Sequence, residues 1–309
     1  MSRFVFGPVP SRRLGQSLGV DLTPTKTCTL DCRYCQLVPT SHPTTERTMF
    51  CSPEEVLAEL RQVLSSIAAP DWITISGTGE PTLHAGLGRI LEGIRELGIA
   101  PSCVITNSTL LDRPDVRADL RLADRLLPTL CTVQPATFER IHRPVPGLRL
   151  DRILDGLREL ARSYQGILDL EIFVCKGLND TPEEIEGLRR YLATLARFDA
   201  IYLNTAIRPP RDPAIVAATP EDLEAFRRAL DPRWRVTTAF EHTALPRRVD
   251  RTPPPPRQGV LDLLLRHPCT PEQLERVLNL PATTLADTLH ALEQEGRIVR
   301  CPDGQWRLA

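Results

Sequence analysis

Lysine is almost missing from this chain: of 38 basic residues only Lys26 and Lys176 are lysine, so arginine carries nearly all the positive charge. The net charge of −1 excludes the global field that marks nucleic-acid or membrane-surface binders. No apolar run is long enough to cross a bilayer, and the opening "MSRFVFGPVPSRRLG" lacks the apolar core of a secretory signal. A cytoplasmic protein is therefore expected, in a reducing compartment where clustered thiols serve metals rather than disulfides. A second C-x-x-C pair is also missing, which argues against an auxiliary metal cluster. What the 309 residues do hold is 41% hydrophobic content, enough for a large core in one domain or two. They also hold nine cysteines, three of them packed into eight residues.

Strand-like runs at 17–22, 72–77, 102–107, 125–133, 168–175 and 200–207 alternate with amphipathic helical stretches at 52–67, 87–98, 150–164 and 181–195. Two of these helices open on Ser52-Pro53 and Thr181-Pro182 followed by glutamates, an order that caps the helix, presets its first φ and opposes its dipole. Such alternation predicts βαβ units on a parallel sheet. Six units fall short of an eight-fold barrel, so the expected fold class is α/β, a partial TIM-like (β/α)6 barrel over residues 1–244. A last β-like run at 233–240 would close it. Residues 245–258, "LPRRVDRTPPPPRQ", read as a proline-rich linker in polyproline conformation. Beyond it, helical patterns at 259–267, 271–279 and 281–296 precede two short β runs around a Pro302-Asp303-Gly304 turn. Residues 259–309 are thus expected to form a small winged helix-turn-helix.

Cys28, Cys32 and Cys35 follow C-x3-C-x2-C directly after the first strand. Thiolates this close can wrap one compact inorganic core from a single loop. A cubane [4Fe–4S] cluster takes one thiolate per iron, so three leave one iron open to a small molecule. Tetrahedral zinc is the alternative, with Cys51 or His42 as the fourth ligand. One strand later, "SGTGEPTLH" places Gly77, Thr78, Gly79, Glu80 and Pro81 in a turn where backbone can approach a ligand beside a carboxylate. Further strand ends supply Asn107 and Asn204, then Arg208, at the carboxyl edge where parallel folds gather ligands. Ordinary asparagine turn chemistry is the competing explanation for these.

With Tyr34 just before its last cysteine, the triplet resembles the signature of the radical S-adenosylmethionine (radical SAM) superfamily. The resemblance implies that the three cysteines hold a [4Fe–4S] cluster whose fourth iron chelates the amino and carboxylate groups of S-adenosyl-L-methionine (SAM). One electron, from a reductant such as flavodoxin or ferredoxin, would then cleave the sulfonium to a hydrogen-abstracting 5′-deoxyadenosyl radical. It further implies that Tyr34 lies against the adenine, that Gly77 to Pro81 stand for the superfamily's GGEP motif at the methionyl ammonium, and that Asn107 and Asn204 approach the nucleoside. The stretches "FGPVPSRRLGQSLGVDL", "RIHRP", "GLND" and "LNTAIRPP" narrow the likeness, over most of residues 5–225, to the branch named after wyosine-base formation in tRNA. Members of that branch often carry a winged helix. A tRNA base is the substrate this implies, or a peptide bound through the winged helix, with Arg12, Arg13 and Arg208 placed to grip a carboxylate or phosphate. One departure stands out. Cys131, in "TLCT", replaces an aspartate usual in the branch, and a neutral thiol cannot accept a carboxylate's two hydrogen bonds.

Cys51, Cys103, Cys175, Cys269 and Cys301 are scattered singly and read as small buried hydrophobes, and His84 reads as structural. The stretch 281–296 holds no arginine or lysine, unlike a DNA-reading helix, while Arg297, Arg300 and Arg307 fall in or near the wing. Two functions of different class follow: a SAM-cleaving enzyme, or an Fe–S or zinc sensor read out on DNA through the winged helix. The GTGEP turn and the polar strand ends favour the enzyme, because a sensor needs neither.

Overall fold

The computed structural model describes residues 3–37, 39–207, 210–241, 255–266, 268–301 and 304–309. The chain opens on an antiparallel hairpin, β1 (Val5–Ser11) and β2 (Gly15–Val20). Next, β3 (Thr27–Cys28) and β4 (His42–Pro43) pair on either side of the cysteine loop. Then come α1 (Pro53–Leu64), β5 (Trp72–Ile75), α2 (Leu87–Leu97), β6 (Ser102–Thr106), α3 (Pro114–Leu120), β7 (Arg125–Pro128), α4 (Pro135–His142) and α5 (Leu150–Ser163). After them follow β8 (Ile167–Val174), α6 (Pro182–Leu192), β9 (Ala200–Thr205), α7 (Pro220–Ala229) and β10 (Val236–Thr238). The main sheet runs β1-β2-β5-β6-β7-β8-β9-β10 and is parallel throughout except at β1–β2. Strand order that never reverses, with helical crossovers between neighbours, rolls the sheet with one face inward, as a partial barrel requires.

Alternation along each strand separates the two faces. On β8, Leu168, Leu170, Ile172 and Val174 are fully buried against the helix layer. Asp169, Glu171 and Phe173 face the other way, into the barrel. There Asp169 forms an ion pair with Arg125, which also donates to Tyr202 Oη at 2.9 Å. The expected caps are present: Ser52 and Thr181 accept backbone N–H groups at the starts of α1 and α6.

Three local differences have physical causes. The strand β1 runs through Pro8 and Pro10, which its edge position tolerates because one side of an edge strand needs no ladder donor. The run expected to stay a strand to residue 133 stops at Pro128, after which only Thr129 bridges to Glu171. Third, the first C-terminal helix, α8 (Pro256–Arg266), begins inside the stretch read as linker, since proline suits a first helical turn. Residues 245–254 of that stretch, the three residues before it, and Pro302 and Asp303 of the expected turn lie outside the described residues.

After α8 come α9 (Pro271–Leu278), α10 (Ala282–Gln294) and the antiparallel pair β11 (Ile298–Arg300) and β12 (Trp306–Leu308). Three helices and a hairpin form the expected winged helix, with its own core around Leu274, Leu292 and Trp306. Val9 of β1 packs against that core, so the winged helix leans on the barrel's hairpin edge. No helix among the described residues is long and apolar enough to cross a membrane.

Candidate active site

The cysteine loop is fixed from three sides by backbone bonds. Glu80 N donates to Thr27 O at 3.0 Å and Lys26 N to Thr78 O at 3.1 Å, which ties the loop's start to the glycine turn. Asp31 N and Arg33 N donate to His142 O and Ile141 O at 3.0 and 2.9 Å, at the end of α4. On the outer side Arg211 N donates to Cys35 O at 2.8 Å, and the ion pairs Arg33–Asp212 (2.7 Å) and Arg211–Asp31 (2.9 Å) clamp the loop.

Within this frame each thiol has its own nitrogen neighbour. Lys26 Nζ lies 3.3 Å from Cys35 Sγ, His142 Nδ1 3.2 Å from Cys32 Sγ, and Asn107 Nδ2 3.5 Å from Cys28 Sγ. Lys26 is buried and sits at a φ of 57°, a left-handed conformation that turns the chain into the loop. Burial pushes His142 down to about 4, which leaves the imidazole neutral. Burial, with the Glu80 carboxyl nearby, pushes the Cys28 thiol up to about 11, and burial with the two sister thiols raises Cys32 well above its ordinary value. Metal binding here must therefore displace protons. Half-buried sulfurs beside donors such as Lys26 Nζ and Asn107 Nδ2 suit an anionic, thiolate-ligated core, whose charge such donors stabilise. A single tetrahedral ion would instead draw its ligands to about 2.3 Å from one point. Of the two zinc candidates, Cys51 is buried with its Sγ 3.2 Å from His84 Nε2, and His42 is exposed on β4, opposite Thr27.

The glycine turn has no room for side chains. A Cβ on Gly77 would sit 2.1 Å from Asp21 Cγ, and one on Gly79 would sit 2.2 Å from Thr27 O. Thr78 donates to Asp21 Oδ2 through both N and Oγ1, each at 3.0 Å. Glu80 is 2% exposed, and its Oε1 accepts from Thr82 N (3.0 Å), Thr82 Oγ1 (2.6 Å) and Thr106 Oγ1 (2.6 Å), while Oε2 accepts from Asn107 N (2.8 Å). Burial raises this carboxyl's pKa and those bonds oppose the rise. Glu80 thus locks the turn to the end of β6, and Pro81 opens the short 3-10 turn Pro81–Leu83 that follows. Asn107 is drawn into the cysteine loop, its Nδ2 donating to Thr29 Oγ1 at 2.8 Å.

The remaining expected residues divide. Tyr34 stacks on Phe173 with centroids 4.0 Å apart and meets His142 edge-on at 5.6 Å, its hydroxyl 3.7 Å from Cys131 Sγ. Cys131 is a small buried residue there, its thiol pushed by burial up to about 12. Asn204 donates to Glu171 Oε1 at 2.8 Å. With Arg12, Arg13, Tyr202 and Thr238 it lines a separate cavity of about 20 Å³, room for no more than a water. Arg13 is ion-paired with Glu171 on β8, while Arg12, in the turn after the edge strand β1, donates to Ala239 O just past the opposite edge strand β10 at 2.9 Å. Arg208 lies outside the described residues. Sequence reasoning did not single out Lys26, His142 or Asp21 for the site. The scarcity of lysine and the "RIHRP" stretch were the available signals for the first two.

Residues 22–192 match the family model of the Radical SAM superfamily, more than half of the chain. The chain belongs to the radical SAM superfamily. The radical SAM match takes in the cysteine loop, the glycine turn and His142, and leaves out the hairpin with Arg12 and Arg13. Residues 244–304 match the DprA winged helix domain. A protein of Brachyspira hyodysenteriae named GTPase Obg is 30% identical over 294 residues, covering 95% of this chain and 43% of that one. The UPF0026 protein MJ1312 of Methanocaldococcus jannaschii is 38% identical over 209 residues, covering 67% of this chain and 64% of that one. The chain therefore spans less than two thirds of the length of either relative. The crystal structure of a radical SAM methyltransferase from Sphaerobacter thermophilus superposes with a TM-score of 0.54 at 17% identity, over 72% of this chain and 65% of that one. That likeness shows a common fold.

Proposed function

We propose that the chain is a radical SAM enzyme in which Cys28, Cys32 and Cys35 hold a [4Fe–4S] cluster with one iron left for SAM. The observation that carries this reading is the set of three half-buried cysteines, each with its own nitrogen neighbour, packed directly against a glycine turn. When bound, the cluster supplies the electron that breaks the sulfonium C–S bond and yields a 5′-deoxyadenosyl radical. The chain's own residues do the rest. Lys26, His142 and Asn107 stabilise negative charge on the sulfurs. The backbone of Gly77 to Pro81 offers the methionyl end a close approach, and Tyr34 with Phe173 forms an aromatic wall for the adenine. The half-buried setting of the three cysteines limits the access of water to a reactive radical. The barrel through β10 is the catalytic unit, the winged helix begins with α8 at Pro256, and a flavodoxin or ferredoxin delivers the electron.

For the substrate, RNA and peptide make different demands, since RNA needs cations facing its phosphates. Helix α10 offers none, and around the cysteine loop Arg33, Arg143 and Arg211 are paired with Asp31 and Asp212. This favours a peptide over a tRNA base. Anaerobic reconstitution followed by dithionite and SAM is expected to release 5′-deoxyadenosine and methionine in equal amounts. No 5′-deoxyadenosine, together with tight binding to specific DNA, would instead identify an Fe–S regulator.

A further inference from the structure

We infer that the winged helix positions the glycine turn of the barrel through Arg266, the last residue of α8, acting on Asp21. Arg266 is 9% exposed, and its guanidinium carbon stands 4.9 Å from the centre of the Phe6 ring on β1. Its Nε lies 3.7 Å from Asp21 Oδ2, fully buried and without a closer acceptor. Its other nitrogens hold Asp262 O in its own helix at 2.9 Å and Arg3 O at 3.4 Å. Asp21 is itself buried, with no other cation paired to it among the described residues. A carboxylate withdrawn from water needs such a partner, so the barrel's Asp21 depends for its charge on a residue of the winged helix.

From Asp21 the connection runs on without a gap. The same Oδ2 atom accepts from both Thr78 N and Thr78 Oγ1, and Asp21 fills the space that a Gly77 side chain would take. Thr78 O then accepts from Lys26 N at 3.1 Å, and Lys26 Nζ reaches Cys35 Sγ. Arg266 touches neither the thiols nor the face offered to SAM. It is a positioning residue, and it explains why a winged helix without basic residues on α10 belongs to this barrel: it completes the site from outside. The consequence for SAM rests on the functional reading above, whereas the mechanical link does not.

Hydrogen–deuterium exchange on the 309-residue chain separates the two. In Arg266→Met, which keeps an apolar chain over Phe6 but removes the charge, the Thr78 amide is expected to exchange about tenfold faster, and SAM binding by calorimetry to weaken about tenfold, within the usual range of coupling between sites. Peptides from α9 and α10 should keep their protection. Where they do not, Arg266→Lys, which retains the charge, is expected to leave the winged helix protected and the turn intermediate. Unchanged exchange at Thr78 in both variants overturns the proposal. Faster exchange with unchanged SAM affinity upholds the link and refutes the placement of SAM at this turn.

Discussion

Replacing any one of Cys28, Cys32 and Cys35 with alanine is expected to abolish both cluster assembly and SAM cleavage. Each thiolate in a cubane holds a different iron, so removing one leaves two irons without a protein ligand and the core labile. Iron content after anaerobic reconstitution should fall from about four per chain to below one, with loss of the visible thiolate-to-iron absorption. The fold should survive, because the loop is held by backbone bonds to Thr78, Ile141 and His142 and by the Arg33–Asp212 and Arg211–Asp31 pairs, none of which involves sulfur. An unchanged far-ultraviolet circular dichroism spectrum checks that point. Cys131→Ala serves as the contrast and should load iron normally, since its thiol faces Tyr34. A Cys35→Ala protein that still carried a full complement of iron would show that the ligands had been misassigned.

The second large effect falls on stability. Glu80→Ala removes a buried carboxyl that accepts four hydrogen bonds. The Thr82 and Thr106 hydroxyls can rotate toward other acceptors, but the N–H groups of Thr82 and Asn107 cannot. Each orphaned buried donor costs about 1–3 kcal/mol, and the emptied volume adds to that. For a chain of this size, with each kcal/mol shifting Tm by about 2–4 °C, a fall of roughly 10 °C is expected in differential scanning calorimetry of the metal-free protein. Glu80→Gln should fall short of full rescue, because an amide presents N–H groups where one side of the carboxyl only accepts. A metal-free Glu80→Ala protein melting with the wild type would mean that the turn is held by something other than this carboxyl.

How much of this was legible in the sequence follows from range. Cys28, Cys32 and Cys35 lie within one loop and Gly77 to Pro81 within one turn, so short motifs expose them. The alternation of strands and helices, read with periods of two and of 3.6, was enough for the parallel sheet and the separate winged helix. His142 stands 110 residues from the Cys32 it touches, and Arg266 is joined to Asp21 only through the docking of two units, so no local pattern announces either contact. The partners of Arg12 and Arg13 are likewise distant in sequence. Arg12 reaches across from the β1 edge to Ala239 O beside β10, and Arg13 pairs with Glu171 on β8. The prolines of β1 hid a strand because the rule against proline in sheets relaxes at an edge.

The account depends on a metal vertex that the protein leaves vacant for SAM. Electron paramagnetic resonance of the reduced, reconstituted protein, recorded with and without SAM, tests this directly. The expected result is a [4Fe–4S]⁺ signal whose g values shift on addition of SAM, and no such signal in any of the three cysteine variants. A signal indifferent to SAM in the wild-type protein, or a centre with four protein ligands, would contradict it.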